Sequence, residues 1–363
     1  MRVESLTFFR FIAACLVVIF HYGSGTLFKE SLGKFGNMGP IMVTFFFTLS
    51  GFVLAIAYYK RSTSSLLSFY FARIARIAPI YLLALLLTWL FFDGVGWGPN
   101  DSLGLFLNIT WLQAWFPSYA LSYNAPGWSL SVEMFFYASF PFIFWRLVNL
   151  SIKQLITISF VLYIVTQFIL SQLLEIQLSN IAISASELPL RELIFYFPLS
   201  HYCSFFFGLC SGVIFMRNNK TVNNNLFSLL TFTISTALMI YVLYDGRSLN
   251  KLFDITLAYG SSFYSIFFAL YIYMVASNSC IITQWLSKRP FVVLGEASYS
   301  LYILQMPVYL IMEKFFFDLV GSDLTIRFFL YFCFLLLFSL ISWKFFEAPM
   351  RTLILRFTNK NSI

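Results

Sequence analysis

The chain has 363 residues, of which 60% are hydrophobic and 10% charged, and it carries a formal net charge of +8. A soluble domain carries roughly 25% charged residues and could not hide this much apolar surface in one core, so composition excludes a water-soluble globular protein and leaves lipid as the solvent. The positive balance does not indicate nucleic acid, because the basic residues are scattered between apolar segments instead of forming a patch.

An apolar stretch of roughly 20 residues crosses the hydrocarbon region as a helix. Ten are predicted in chain order: 6–24, 38–59, 77–92, 128–147, 154–174, 193–216, 226–244, 257–278, 291–312 and 326–346. The fold class expected is an all-α integral membrane protein of about ten transmembrane helices, forming a single transmembrane domain over 1–363 with no appended soluble domain. The first stretch begins like a signal peptide, but a discarded leader has no reason to keep Arg10 and His21, so it is expected to be retained. The apolar segment 102–117, bounded by Pro99 and Pro117, is short and is expected to lie at the interface or to re-enter. With the N-terminus in the cytoplasm, sixteen of the 23 basic residues fall on the cytoplasmic side and seven opposite. That asymmetry predicts cytoplasmic N- and C-termini. Cys15, Cys203, Cys210, Cys280 and Cys333 lie in or beside apolar segments at no metal-binding or disulfide spacing, so neither a metal nor a disulfide framework is expected.

Ionisable side chains inside a span are costly and therefore point to function. Arg10 and His21 lie eleven positions apart on the first helix, which leaves about 20° between them around the axis and about 16 Å along it. Two ionisable groups on one face call for a shared polar cavity. A snorkelling arginine and a separately bonded histidine are the structural alternative. Arg73 and Arg76 are spaced to share one helical face ahead of the third span, and two guanidinium forks there suit phosphate groups. Simple anchoring to anionic lipid fits that spacing equally well. Glu133 is placed about 8 Å inside the outer surface, at a depth like that of His21, and a carboxylate beside an imidazole holds its tautomer and steadies the imidazolium. A carboxylate satisfied by Tyr or Ser hydroxyls for structure alone is the alternative. His201, in the outer half of the sixth span, is a candidate acceptor contact, with a packing role as its alternative. Glu296 and Glu347 read as structural pairs for nearby Arg or Lys. Ser50-Gly51 reads as a close helix–helix approach.

Several motifs, in register along the chain, carry a resemblance. They are Leu6…Arg10…His21; Phe46-Phe-Thr-Leu-Ser-Gly-Phe52; Arg73 and Arg76 ahead of Pro79; Trp128-Ser-Leu-Ser-Val-Glu133 with Phe136-Tyr137 and Pro141; Leu294-Gly-Glu-Ala-Ser-Tyr-Ser-Leu-Tyr302; and Phe346-Glu-Ala-Pro349. Together, from Glu4 to Arg351, they resemble the acyltransferase-3 family of membrane-bound acyltransferases, which includes O-antigen and exopolysaccharide acetylases. The resemblance implies transfer of an acyl group, usually acetyl, from cytoplasmic acetyl-CoA or another acyl-CoA to a hydroxyl of a cell-surface or lipid-linked glycan, in a bacterial inner membrane. Carried over motif by motif, it implies roles for Arg10, His21, Arg73, Arg76, Trp128 and Glu133. His21, Glu133 and Arg10 are the expected catalytic residues, Arg10, Arg73 and Arg76 the expected CoA-binding residues, and Trp128 and His201 the expected substrate contacts. Gln305 departs from the family, which often has histidine there. A multi-span transporter or flippase is the competing class. It is disfavoured because the halves show no internal repeat and the charged intramembrane positions cluster in the first 140 residues.

Overall fold

The computed structural model describes residues 4–60, 65–91, 97–179, 189–218, 225–245, 256–258 and 260–360, and among these there is no β-strand. The outermost residue of the predicted span 77–92, and residue 259 within 257–278, lie outside the described residues. The helices are α1 (Glu4–Tyr22), α2 (Leu27–Leu32), α3 (Gly39–Tyr58), α4 (Leu66–Phe91), α5 (Ser102–Ile109), α6 (Trp128–Asn149), α7 (Ile152–Ser179), α8 (Leu190–Tyr196), α9 (Pro198–Asn218) and α10 (Asn225–Asp245). They continue with α11 (Ser265–Ser277), α12 (Ile281–Leu286), α13 (Arg289–Phe315), α14 (Phe317–Val320), α15 (Leu324–Ser342) and α16 (Ala348–Lys360). Among the described residues, eight stretches are long and apolar enough to cross a membrane. The remaining two predicted spans are α6, diluted by Ser129, Ser131, Glu133 and Arg146, and the 13-residue α11. Large apolar side chains such as Phe160, Ile164 and Phe168 of α7 and Ile234 and Leu238 of α10 are exposed, as a lipid-facing surface requires. The protein is a multi-pass helical membrane protein.

Three boundaries differ from expectation. The third span starts at Leu66 and not at 77, because the helix runs on through Pro79; Arg73 and Arg76 therefore sit within a helix of 26 residues, not ahead of one. The sixth is broken at Phe197, whose extended ψ of 137° is what a residue before Pro198 prefers. The eighth becomes helical only at Ser265. The turn before it is tolerated because side chains satisfy its backbone: Thr44 donates to the Ser261 carbonyl (2.6 Å) and Tyr163 to the Phe263 carbonyl (2.9 Å), while Gln167 donates to the Ser262 hydroxyl (3.1 Å). Segment 102–117 holds only the eight-residue α5 and a one-turn helix at Gln113–Trp115, too short to span.

The chain divides into two compact units. One draws on Met1–Ala13, Pro40–Ser62 and Ser139–Val292, the other on Ala14–Gly39, Thr63–Ala138 and Val293–Ile363. The first is organised by α9 against α3. A Cβ at Gly51 would strike the Phe205 carbonyl, one at Gly208 the Thr48 carbonyl, and one at Gly212 would lie 2.6 Å from the Ala55 methyl. Hydrogen at these positions is what lets the two backbones meet. In the second unit α16 packs along α4. Here α15 passes into α16 through a π-helical turn, Trp343–Glu347. Pro349 cannot donate to the Phe345 carbonyl, and the widened turn accommodates that loss.

Candidate active site

The second unit contains two partly buried polar centres. The first is built on His21, near the C-terminal end of α1. Its Nδ1 lies 2.9 Å from Oε1 of Gln305, a fully buried residue on α13 that is 284 positions away in sequence. Gln305 is itself held twice: its Nε2 donates to the Tyr302 carbonyl (2.6 Å), and its own carbonyl accepts from the Tyr331 hydroxyl (2.9 Å). Pro307 determines what surrounds it. A proline has no N–H for the carbonyl four residues earlier, which is that of Ile303. Asn124 supplies the missing donor through Nδ2 at 3.0 Å. The start of α6 is also tied to α13, by the Tyr302 hydroxyl on Ser129 Oγ (2.9 Å). The exposed indole of Trp97 lies with its ring centroid 5.8 Å from that of His21. Lys29 folds back to donate to the Phe20 carbonyl (3.1 Å) and Ser24 Oγ (3.2 Å), so it covers the C-terminal carbonyls of α1.

The second centre is the arginine pair. Arg73 is sandwiched between the rings of Phe69 and Tyr137, 5.8 Å from each centroid, and its buried Nε has no hydrogen-bond partner. Arg76 is within electrostatic reach of Tyr137, Glu133, Glu347 and Tyr299. The Tyr137 hydroxyl donates to Glu133, the Ser300 hydroxyl to Glu347 (2.7 Å), and the Tyr299 hydroxyl to the Ile77 carbonyl (3.0 Å). Two cations and two carboxylates are thereby gathered where α4, α6, α13 and the π-helical turn meet. The arrangement offers donors to an anionic group, and burial between aromatic rings strengthens each charge interaction.

The expected residues distribute unevenly between these centres. His21 occupies the first, and Arg73, Arg76 and Glu133 the second. Glu133, expected to orient His21, is bonded to Tyr137 beside Arg76, and the partner on His21 Nδ1 is Gln305. Trp128 is buried at the first residue of α6, directly after the turn Ala125–Gly127. Arg10 shares α1 with His21 but belongs to the first unit. His201 also lies in the first unit, where it is fully buried and its Nε2 donates to the Phe195 carbonyl at 2.8 Å. That carbonyl is one of those left over where α8 ends before Pro198. His201 is thus placed at the helix break, with one ring nitrogen engaged by backbone. Glu347 pairs with a serine as well as facing arginine. Trp97, Lys29 and Asn124 were not anticipated. Pro307, four residues after Ile303 in an apolar helix, was the signal that a carbonyl there needs an outside donor. Among the described residues no three His, Cys, Asp or Glu side chains converge to hold a metal.

A polytopic helical protein that gathers a histidine, two arginines and two carboxylates in one unit belongs to the class of multi-pass membrane proteins with a polar interior. The sequence profile of the acyltransferase-3 family, described as an acyltransferase domain, matches residues 3–344, and the chain belongs to that family. A stretch of 159 residues, 41% of the chain, is 33% identical to acyltransferase MdmB of Streptomyces mycarofaciens and spans 40% of that relative's length. No solved structure matches the chain. The protein is a multi-pass membrane protein of the acyltransferase-3 family.

Proposed function

We propose that the enzyme, in a bacterial inner membrane, transfers an acetyl group from cytoplasmic acetyl-CoA to a hydroxyl of a cell-surface or lipid-linked glycan. The observation that carries this reading is the half-buried His21 with Nδ1 bonded to an amide oxygen, because an imidazole so held presents Nε2 as a base. Arg73 and Arg76 are assigned to the CoA phosphates. The unpartnered Nε of Arg73 supports that assignment, since a buried guanidinium donor without an acceptor favours an incoming anion. Arg10 is assigned a role in CoA binding on the family resemblance alone. Trp128, at the head of α6, is assigned to the acceptor on the same basis.

In the reaction, Nε2 of His21 takes the proton of the acceptor hydroxyl as its oxygen bonds to the thioester carbonyl carbon. The carbon–sulfur bond then breaks, and the departing thiolate takes the proton back from the imidazolium, leaving an ester and free CoA. A two-step route through acyl-histidine balances in the same way, with the acyl group bonded to Nε2 between the two transfers. Glu133 is assigned to balancing and orienting Arg76.

The test is isotope-labelled acetyl-CoA supplied to membranes containing the enzyme, followed by mass spectrometry of the surface glycans. The expected result is an acetyl increment that disappears with His21→Ala. Substantial transfer by His21→Ala would remove His21 from the chemistry. Arg73→Ala with Arg76→Ala is expected to weaken CoA binding, and unchanged affinity would defeat the phosphate assignment.

A further inference from the structure

We infer that Gln305 is the positioning residue of the reaction, selecting the His21 tautomer that carries its proton on Nδ1 and leaves Nε2 bare. The inference rests on the proposed function for the use of that tautomer, but the tautomer itself follows from hydrogen-bond logic. A neutral imidazole donates through one nitrogen and accepts through the other, while a glutamine amide offers an oxygen that only accepts and a nitrogen that only donates. The end of the Gln305 side chain facing Tyr302 lies 2.6 Å from a backbone carbonyl oxygen, an acceptor, so that end must be the amide nitrogen. The oxygen is then the end facing His21 Nδ1 at 2.9 Å, and Nδ1 must carry the hydrogen.

The amide cannot turn over without setting two carbonyl oxygens against each other in a fully buried place. Nor can it swing away readily. Gln305 is anchored through its own backbone carbonyl by Tyr331, and the neighbouring Ile303 carbonyl is clamped by Asn124. The frame that fixes the ring therefore comes from α13, α15 and the turn before α6 together.

A neutral amide differs from a carboxylate in this place. It sets the direction of the proton without adding a negative charge beside the ring. Lys29, on α2, is a positive side chain within electrostatic reach of the imidazole. Gln305 therefore orients the base without adding charge to it. Gln305 keeps accepting the Nδ1–H throughout the proton cycle at Nε2 and itself exchanges no proton.

The chain contains two histidines, which makes the inference directly measurable. The contacts assign them opposite tautomers, since His201 donates from Nε2 to a carbonyl. The experiment is nitrogen NMR of full-length enzyme labelled with nitrogen-15 histidine in lipid nanodiscs, with His21→Gln identifying the signals. The expected spectrum has one ring protonated at Nδ1, which vanishes in His21→Gln, and one protonated at Nε2. Gln305→Leu should lower the Nδ1–H preference of His21 by about 2- to 12-fold, the population equivalent of one net hydrogen bond. It should lower kcat by at least as much while leaving KM for acetyl-CoA in place. Gln305→Glu, protonated on the oxygen that faces the Tyr302 carbonyl, keeps an accepting oxygen toward Nδ1 and should retain the tautomer. A wild-type His21 protonated at Nε2, or a Gln305→Leu enzyme with its tautomer unchanged, overturns the inference. If Gln305→Leu does not yield folded protein, the wild-type and Gln305→Glu spectra decide the matter. Transfer surviving His21→Ala defeats the functional reading and leaves the tautomer result to judge Gln305 separately.

Discussion

Replacing Asn124 by alanine removes the Nδ2 donor that lies 3.0 Å from the Ile303 carbonyl. In an ordinary helix the loss would be small, because the carbonyl would keep its intrahelical N–H. Here the residue four positions on is Pro307, inside α13, and has no N–H to give. A buried carbonyl left without a donor costs about 1–3 kcal/mol, and no water in the hydrocarbon region replaces it. Pro307→Ala restores an N–H at the position from which an α-helix donates to Ile303. In that background the carbonyl is already satisfied, so Asn124→Ala should cost less than about 1 kcal/mol, the ordinary net value of a hydrogen bond. The two changes should therefore couple by about 1–2 kcal/mol. The assay is a double-mutant cycle, with unfolding of the purified protein followed by SDS titration in detergent micelles. Costs that add to within about 0.5 kcal/mol would show the sites to be independent, and would refute the idea that Asn124 substitutes for the proline's missing donor.

Gly208→Ala should destabilise the protein by about 1–3 kcal/mol, because the added methyl meets the Thr48 carbonyl and α3 and α9 must part; an unchanged melting temperature would contradict the close crossing. Trp97→Ala should raise KM for the proposed glycan acceptor and leave affinity for the proposed donor, acetyl-CoA, unaltered, since the exposed indole stands against the His21 ring. Equal effects on both substrates would argue for a structural role instead. At the surface, the Asp101 carboxyl caps α5. The Gly104 N–H holds it below the usual carboxylate value, against an opposing effect of desolvation and with further help from the Tyr119 hydroxyl. A depressed carboxylate contributes stability in full above its unfolded value of 3.8, and that contribution is lost as pH falls through and below this value. The stability gap between wild type and Asp101→Ala should accordingly be level from pH 7 to about 5 and narrow below about 4. A gap that stays level at pH 3 would refute the capping role.

Much of the architecture is legible along the chain because a membrane helix is a local property. Apolar length alone identifies most spans, and a single Gly51 beside Ser50 is enough to anticipate a close crossing. The errors fall where a neighbour overrides a local rule. The third span extends back to Leu66 because Phe69 and Tyr137 shelter Arg73, which by its charge alone belongs outside. The eighth span shortens because Thr44, Tyr163 and Gln167, none of them near it in sequence, satisfy an irregular backbone in its place.

Chemistry divides in the same way. From the amino acids by themselves come the set of costly groups, namely Arg10, His21, Arg73, Arg76 and Glu133, and the family they mark, since an ionisable residue in an apolar segment stands out whatever it touches. Which of them meet is a matter of distance between helices, and only the tertiary structure decides it. It gives His21 to Gln305 across 284 residues, gives Glu133 to Tyr137 beside Arg76, and sends His201 to a broken helix end. A hydrogen bond requires its two atoms within about 3 Å. Periodicity along one helix fixes the face a side chain takes but carries no record of what the facing helix presents there.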